Sequence, residues 1–157
     1  PNLFNTQGLS THQFFAKSAD GTKIPYFWTG HEASPDTPTL VYVYGGFGLS
    51  ELPYYLGSLG EHWLNKGGAL VVANVRGGGE FGPKWHQAAQ KQNKYKSVDD
   101  LIAVIDDLIQ TNKSSPKQIA LQGGSNGGLV VASAMVREPE KIGAVISDLP
   151  TKKRRRL

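Results

Sequence analysis

The chain has 157 residues, enough for one domain that buries roughly 68–70% of the surface its unfolded form exposes. Apart from 19 glycines its composition is that of a globular α/β protein, and zero cysteines exclude disulfides and cysteine metal sites. Residues 152–156 supply five positive charges, so the rest of the chain is close to neutral against the net charge of +4, and it lacks the basic face of a nucleic-acid-binding protein.

The first predicted elements form an antiparallel hairpin. Residues 1–11 carry little pattern and are predicted to be an arm or linker. From His12, two short β-rich runs flank the dipeptide Asp20-Gly21, which favours a tight turn. We therefore assign residues 12–150 to one α/β domain that begins with this hairpin, and residues 151–157 to a basic tail that is disordered or non-native.

Buried strands then alternate with helices. Residues 39–44 and 69–75 are apolar, β-rich runs of the kind buried in a parallel sheet, with a helical pattern at residues 54–66 between them. Ser97 is predicted to cap a second helix, with Asp100 in its first turn. A strand at 119–121, a helix at 126–136 and a strand at 142–147 follow. This alternation indicates a mostly parallel sheet with right-handed crossovers.

A strand and a helix meet at the glycine-rich run 123–128, Gly-Gly-Ser-Asn-Gly-Gly. Its G-x-S-x-G spacing around Ser125 is that of a nucleophile elbow, in which side chains at Gly123 and Gly127 would collide with the neighbouring strand and helix. The turn also places the N–H of Asn126 at a helix N-terminus, where it can stabilise an oxyanion. The alternative is a turn that only packs closely or binds a phosphate. This run contains neither phosphate-binding motif, G-x-x-x-x-G-K-[ST] or G-x-G-x-x-G.

Two further glycine-rich turns, at 45–48 and 77–79, also follow predicted strands. In open α/β sheets the chemistry collects at the carboxyl ends of the strands, so all three turns are expected at one edge. This order of elements predicts an α/β-hydrolase-like fold, whose second oxyanion donor comes from the loop after the strand that precedes the first crossover helix. Tyr44 and Gly46 are the candidates there, although a tyrosine at a strand end can also serve only packing.

Three motifs carry a family resemblance. They are Tyr-Gly-Gly-Phe-Gly at 44–48, Ala-Asn-Val-Arg-Gly-Gly-Gly-Glu-Phe-Gly at 73–82 followed by Trp85-His86, and Gly-Gly-Ser-Asn-Gly-Gly-Leu at 123–129. In this order they closely resemble the prolyl oligopeptidase family of serine peptidases. The resemblance covers about residues 12–148 and corresponds to the first part of the family's peptidase domain.

The resemblance implies specific roles at the predicted edge. Ser125 would be the nucleophile, and the N–H of Asn126 and the hydroxyl of Tyr44 would form the oxyanion hole. Phe47 would belong to the substrate-binding surface, although a loop phenylalanine can equally pack in a lid. The oligopeptidase B branch favours Y-G-S-Y-G and G-G-S-A-G-G where this chain has Y-G-G-F-G and G-G-S-N-G-G, which favours cleavage after proline.

Two charged residues of the second motif, Arg76 and Glu80, would be structural supports near the site. A salt bridge between them across a tight turn is the simplest interpretation of their spacing.

The histidines do not follow the order that the fold requires. An α/β-hydrolase triad runs Ser, acid, His along the chain, whereas His12, His31, His62 and His86 all precede Ser125. The resemblance makes His86 structural and places the acid later than Asp148, which we interpret as a loop residue. The chain is therefore expected to be truncated inside its catalytic domain, with the triad Asp and His beyond residue 150.

The expected function is a serine peptidase that hydrolyses proline-containing oligopeptides through an acyl-enzyme on Ser125, with this chain inactive alone. The alternatives are a dipeptidyl peptidase or esterase on the same fold, or a non-catalytic fragment. No metal, cofactor, nucleic acid or membrane is expected as a partner. We expect a cytoplasmic location, with the periplasm as the alternative, and the sequence leaves the oligomeric state open.

Overall fold

The computed structural model describes residues 8–45, 56–77 and 95–148. Six strands lie in these ranges: β1 (Ser10–Lys17), β2 (Lys23–Gly30), β3 (Thr39–Gly45), β4 (Ala69–Ala73), β5 (Ile119–Ser125) and β6 (Ala144–Asp148). The helices are α1 (Leu56–Asn65), α2 (Tyr95–Gln110) and α3 (Asn126–Arg137). Within these ranges no helix combines the length and the apolar character needed to cross a membrane.

All six strands join one sheet in the order β1-β2-β4-β3-β5-β6. β1 pairs antiparallel with β2, and β2 antiparallel with β4. β4, β3, β5 and β6 then run parallel to one another. The sheet is therefore mostly parallel with an antiparallel hairpin at its N-terminal side, as predicted.

The hairpin is closed by the turn predicted at Asp20-Gly21. Gly21 has a φ of 86°, and its N–H donates to the Ser18 carbonyl at 2.9 Å. The N–H of Thr22 donates to Asp20 Oδ1 at 3.1 Å. β1 begins at Ser10, two residues before the predicted start, so Ser10 and Thr11 belong to the sheet and not to the predicted arm.

Helices α2 and α3 pack against the sheet and against each other, and the core lies beneath them. Leu101, Ile105 and Leu108 of α2 are fully buried at the i, i+4, i+7 spacing of one helix face. They belong to one buried cluster with strand residues such as Val43 and Leu121. Fully burying side chains of this size contributes about 1.5–3 kcal/mol each, which fixes α2 and α3 relative to the strand ends.

The start of α2 differs from the prediction. The helix begins at Tyr95, so Ser97 lies inside it and the prediction of Ser97 as an N-cap is wrong. The buried Ser97 hydroxyl instead donates to the carbonyl oxygen of Arg76 at 2.6 Å. A contact between residues so distant in sequence carries no local signal, whereas a serine before an apolar run is a common capping pattern.

Candidate active site

The predicted elbow is a direct passage from strand to helix. β5 ends at Ser125 and α3 begins at Asn126, so no loop residue separates the two elements. The N–H groups of the first helical turn have no partner within the helix, and the N-terminal end carries the positive end of the helix dipole. A backbone donor for an oxyanion is therefore available directly after Ser125.

Gly123 is required by the close approach of β5 to α3. A Cβ at this position would lie 2.2 Å from the carbonyl oxygen of Gly127, 2.4 Å from its carbonyl carbon and 2.8 Å from the nitrogen of Gly128. Real Cβ atoms essentially never approach other heavy atoms closer than 3.0 Å. The contact is with backbone, which cannot move aside as a side chain could, so only glycine fits here.

The ends of β3 and β5 lie side by side. Gly45 is aligned with Ser125, and Tyr44 with Gly124. Neighbouring strands are about 4.8 Å apart, so residues at the end of β3 are within one strand spacing of the elbow. Asp148 is aligned with Gly124 on the other side. It is the last residue of β6, so its interpretation as a loop residue is wrong.

The structure describes the predicted site residues to different extents. Tyr44, Ser125 and Asn126 are placed by their backbone at one edge of the sheet. Phe47 and Glu80 lie outside the described residues. The roles of all five therefore stay predictions.

Three of the histidines lie away from the elbow. His12 is on β1, four strands from β5, which corresponds to about 19 Å across the sheet. His31 follows the end of β2, and because β2 runs antiparallel to β4, that end lies at the opposite edge from Ser125. His62 is in the last turn of α1, shortly before β4 begins at that same opposite edge. His86 lies outside the described residues.

Arg76 follows β4 at the carboxyl edge and is the centre of a buried polar network. Its Nε donates to Asp100 Oδ2 at 2.9 Å and its Nη2 to Asp100 Oδ1 at 2.7 Å, so the pair is bidentate. Nη1 donates to Asp20 Oδ2 at 2.6 Å. The Ser18 hydroxyl also donates to Asp100, at 2.7 Å. Arg76 is 5% exposed and Asp100 fully buried, so each charge depends on the other.

The network shifts the pKa values of Arg76 and Asp20 so that both side chains are more firmly charged. Hydrogen bonding to Asp100 raises the pKa of Arg76, and its burial opposes the rise only in part. The hydrogen bond from Arg76 holds the pKa of Asp20 well below its ordinary value. The guanidinium of Arg76 thus bonds to Asp100, Asp20 and Ser18, while a bridge to Glu80 stays a prediction.

Asp100 is the residue of this region that sequence reasoning misplaced. We placed it in the first turn of the helix, but the helix begins at Tyr95, and the Asp100 carboxylate is buried and bonded to Arg76. A signal was present, because Asp100, Val104 and Leu108 recur at a spacing of four and share one helix face. A carboxylate on an apolar face is almost never buried unless it is paired.

No three Asp, Glu or His side chains gather as a possible metal site within residues 8–45, 56–77 and 95–148.

Comparison with known proteins assigns the chain to a family. Residues 58–155 match the model of the prolyl oligopeptidase family. The chain belongs to that family. Its resemblance to the family, inferred from three motifs, is thereby confirmed.

Relatives within the family cover nearly all of this chain. An uncharacterized peptidase of Sinorhizobium fredii is 44% identical over 153 residues, which are 96% of this chain and 21% of that protein. A prolyl endopeptidase of Elizabethkingia miricola is 40% identical over 140 residues, 87% of this chain and 20% of that protein.

A solved structure supports the fold directly. The post-proline cleaving enzyme of Rickettsia typhi superposes with a TM-score of 0.84 at 41% identity, over 92% of this chain and 21% of that enzyme. The predicted α/β-hydrolase fold is confirmed by this likeness. The chain spans about a fifth of the length of the relatives it matches.

Proposed function

We propose that this chain carries the nucleophile of a serine peptidase that hydrolyses proline-containing oligopeptides through an acyl-enzyme on Ser125. One observation carries the proposal: Ser125, at the passage from β5 into α3, is aligned with Gly45 at the end of β3. That pairing brings the elbow and the segment that supplies the second oxyanion donor to one edge. Membership in the family, whose relatives include a prolyl endopeptidase, supports the reaction class.

The proposed reaction uses each residue for one task. Ser125 Oγ attacks the carbonyl carbon of the substrate while its proton passes to a general base. The oxygen of the tetrahedral intermediate accepts hydrogen bonds from the N–H of Asn126 and the hydroxyl of Tyr44. Losing one such donor typically costs about 2.7–4 kcal/mol of transition-state stabilisation. Collapse breaks the C–N bond and expels the amine, which takes the proton that the base had received; water, giving a proton to the same base, then hydrolyses the ester, and Ser125 Oγ regains its proton.

The general base in this proposal is not one of the described histidines. His12, His31 and His62 lie on the far strand or toward the opposite edge of the sheet. His86 precedes the serine, whereas the fold takes its histidine from after the nucleophile. The proposal therefore takes the base and its acidic partner from outside residues 1–157. Without them Ser125 has the reactivity of an ordinary hydroxyl.

Cleavage after proline rests on two lines of support. The motifs at 44–48 and 123–128 differ from those of the oligopeptidase B branch, which cleaves after basic residues. The solved relative from Rickettsia typhi is named a post-proline cleaving enzyme. In the proposal Phe47 contacts the substrate, and Arg76 and Glu80 support the edge on which it binds.

A fluorophosphonate probe tests the nucleophile and the missing base together. We expect Ser125 to be labelled rapidly in the protein at its natural length, slowly in the 157-residue chain, and not at all after Ser125→Ala. Equal labelling rates in the long and short proteins would show that the base lies within residues 1–157.

A substrate comparison tests the specificity. The natural-length protein should cleave a peptide with an internal proline faster than the same peptide with alanine there, and Ser125→Ala should abolish both reactions. Preference for simple esters would favour an esterase on the same fold. Preference for the release of N-terminal dipeptides would favour a dipeptidyl peptidase.

A further inference from the structure

Asp100 holds the main chain of Arg76 as well as its side chain. The N–H of Arg76 donates to Asp100 Oδ2 at 2.9 Å, and two nitrogens of the guanidinium donate to the same carboxylate. The carbonyl of Arg76 accepts from the Ser97 hydroxyl at 2.6 Å. Both peptide groups beside Arg76 are therefore fixed by residues of the first two turns of α2. An ion pair alone would need only the side chain of Arg76. The additional bonds to its N–H and carbonyl also fix the path of the backbone.

The fixed segment leads into a turn at the carboxyl edge. Gly77 follows Arg76 directly with a φ of 106°, a conformation that favours glycine. β3 and β4 pair in register up to Val43 and Ala73, so Arg76 comes shortly after β4 at the edge where β3 ends in Gly45. β4 is two strands from β5, which corresponds to about 10 Å from the strand that ends in Ser125.

We propose that Asp100 is a positioning residue for acyl transfer: through Arg76 it fixes the backbone that leaves β4 and supports the neighbouring end of β3, which carries Tyr44 one strand away from Ser125. The inference rests on the proposed function for its link to catalysis. Asp20 and Ser18 complete the network from the hairpin turn, at 2.6 Å from Arg76 and 2.7 Å from Asp100 respectively. Two segments distant in sequence, the hairpin turn and the start of α2, thus hold one point of the edge.

The same helix offers a matched control. Asp107 accepts a hydrogen bond from the hydroxyl of Tyr26 at 2.5 Å, so it too is a carboxylate bound to a β-strand partner. Seven positions along α2 separate it from Asp100, about 10 Å at the helical rise. That distance places Asp107 toward the end of α2 remote from the elbow. Asp107→Asn therefore changes the same chemistry on the same helix without removing any of the hydrogen bonds that Arg76 makes to Asp100, Asp20 and Ser97.

The test compares Asp100→Asn with Asp107→Asn in the protein at its natural length, with a proline-containing peptide as substrate. We expect Asp100→Asn to lower kcat about 10- to 100-fold with KM nearly unchanged, because small displacements of oxyanion donors act on the transition state. Asp107→Asn should leave kcat within about twofold of wild type, even if it lowers the Tm as much as Asp100→Asn does. A kcat that follows the loss of Tm equally in both variants would overturn the positioning role.

A second variant covers the case in which Asp100→Asn does not fold. Ser97→Ala removes only the donor to the Arg76 carbonyl and leaves the ion pair intact. It should lower kcat in the same direction by a smaller factor. A folded Ser97→Ala protein with unchanged kcat and unchanged amide exchange would contradict the proposal.

Amide hydrogen exchange separates this inference from the proposed function. Exchange at residues 43–45 and 75–77 should be faster in Asp100→Asn or Ser97→Ala than in wild type, and unchanged in Asp107→Asn. If the natural-length wild type cleaves no peptide, the proposed function fails, and the exchange result alone decides whether Asp100 fixes this edge. Equal exchange in all variants would refute the coupling.

Discussion

The backbone of Gly123 on β5 lies against the carbonyl of Gly127 in α3, so closely that a Cβ on Gly123 would stand 2.2 Å from that oxygen. We expect Gly123→Ala to lower the free energy of unfolding by at least about 1–3 kcal/mol, because the clash is with backbone. Gly67→Ala is the control: Gly67 has a φ of 87° but open space around its Cα, so that change costs only conformational strain, about 1–2 kcal/mol. Urea denaturation of both variants checks this, and a smaller loss at Gly123 than at Gly67 would contradict it.

Removing the guanidinium of Arg76 should be far more damaging than removing that of Arg137. Arg76→Met leaves the fully buried Asp100 without its counter-charge, and breaking a buried pair in this way typically costs about 3–5 kcal/mol. Arg137→Met breaks an ion pair to Asp99 whose arginine is 49% exposed, which is worth about 0.2–1 kcal/mol. Both free energies of unfolding are measured with urea at pH 7. Equal losses would mean that Asp100 finds another partner.

Asp20 should make the protein sensitive to acid through Arg76. Because Arg76 lowers the pKa of Asp20 in the folded state, the unfolded chain binds this proton more readily. The stabilisation is therefore fully present above about pH 4, near the ordinary pKa of an aspartate, and is lost as the pH falls below it. Urea midpoints between pH 6 and pH 2.5 should fall less steeply for Asp20→Asn than for wild type. In an Arg76→Met background the two slopes should coincide.

Tyr26 should add a loss of stability at alkaline pH. Burial, and after it the hydrogen bond to Asp107, raises the pKa of Tyr26 above its ordinary value. Its contribution is fully present below about pH 10, the unfolded pKa, and is lost as the pH rises above it. Tyr26→Phe should cost about 1–3 kcal/mol at pH 8, since Asp107 loses a donor. Between pH 8 and pH 10.5 the variant should then lose less stability than wild type, and parallel losses would count against the role of Tyr26.

Most of the fold could be predicted from local pattern. The runs at 39–44 and 119–121 are apolar because parallel strands are buried on both faces, and they became β3 and β5. The Asp20-Gly21 turn was predictable because glycine there adopts the positive φ that the structure shows. The alignment of Gly45 with Ser125 follows from the rule that the carboxyl ends of parallel strands share an edge.

The support of that edge could not be predicted in the same way. Ser97 and Asp100 have the identity and spacing of a cap and a first-turn acid. The spacing of Asp100 with Val104 and Leu108 indicates that its carboxylate is buried, but local pattern does not identify its partner. Their actual partner is Arg76, more than twenty positions earlier, and it is reached only once α2 has packed on the sheet. Residue identity thus predicted the elbow, whereas the contacts that Ser97 and Asp100 make to Arg76 depend on tertiary packing.

The contacts that join the first part of the chain to the last have nearly constant sequence separation. Three hydrogen bonds span between 80 and 82 positions: Ser115 to Pro35, Tyr26 to Asp107 and Ser18 to Asp100. The pairing of Gly45 with Ser125 closes a loop of about the same length. The entropy of loop closure is lost once, when the first of these contacts forms, and the others then bring together ends that are already close. The elbow at Ser125 and the hydrogen bonds around Arg76 should therefore form in a single cooperative step of folding. A partly folded chain should contain neither of them.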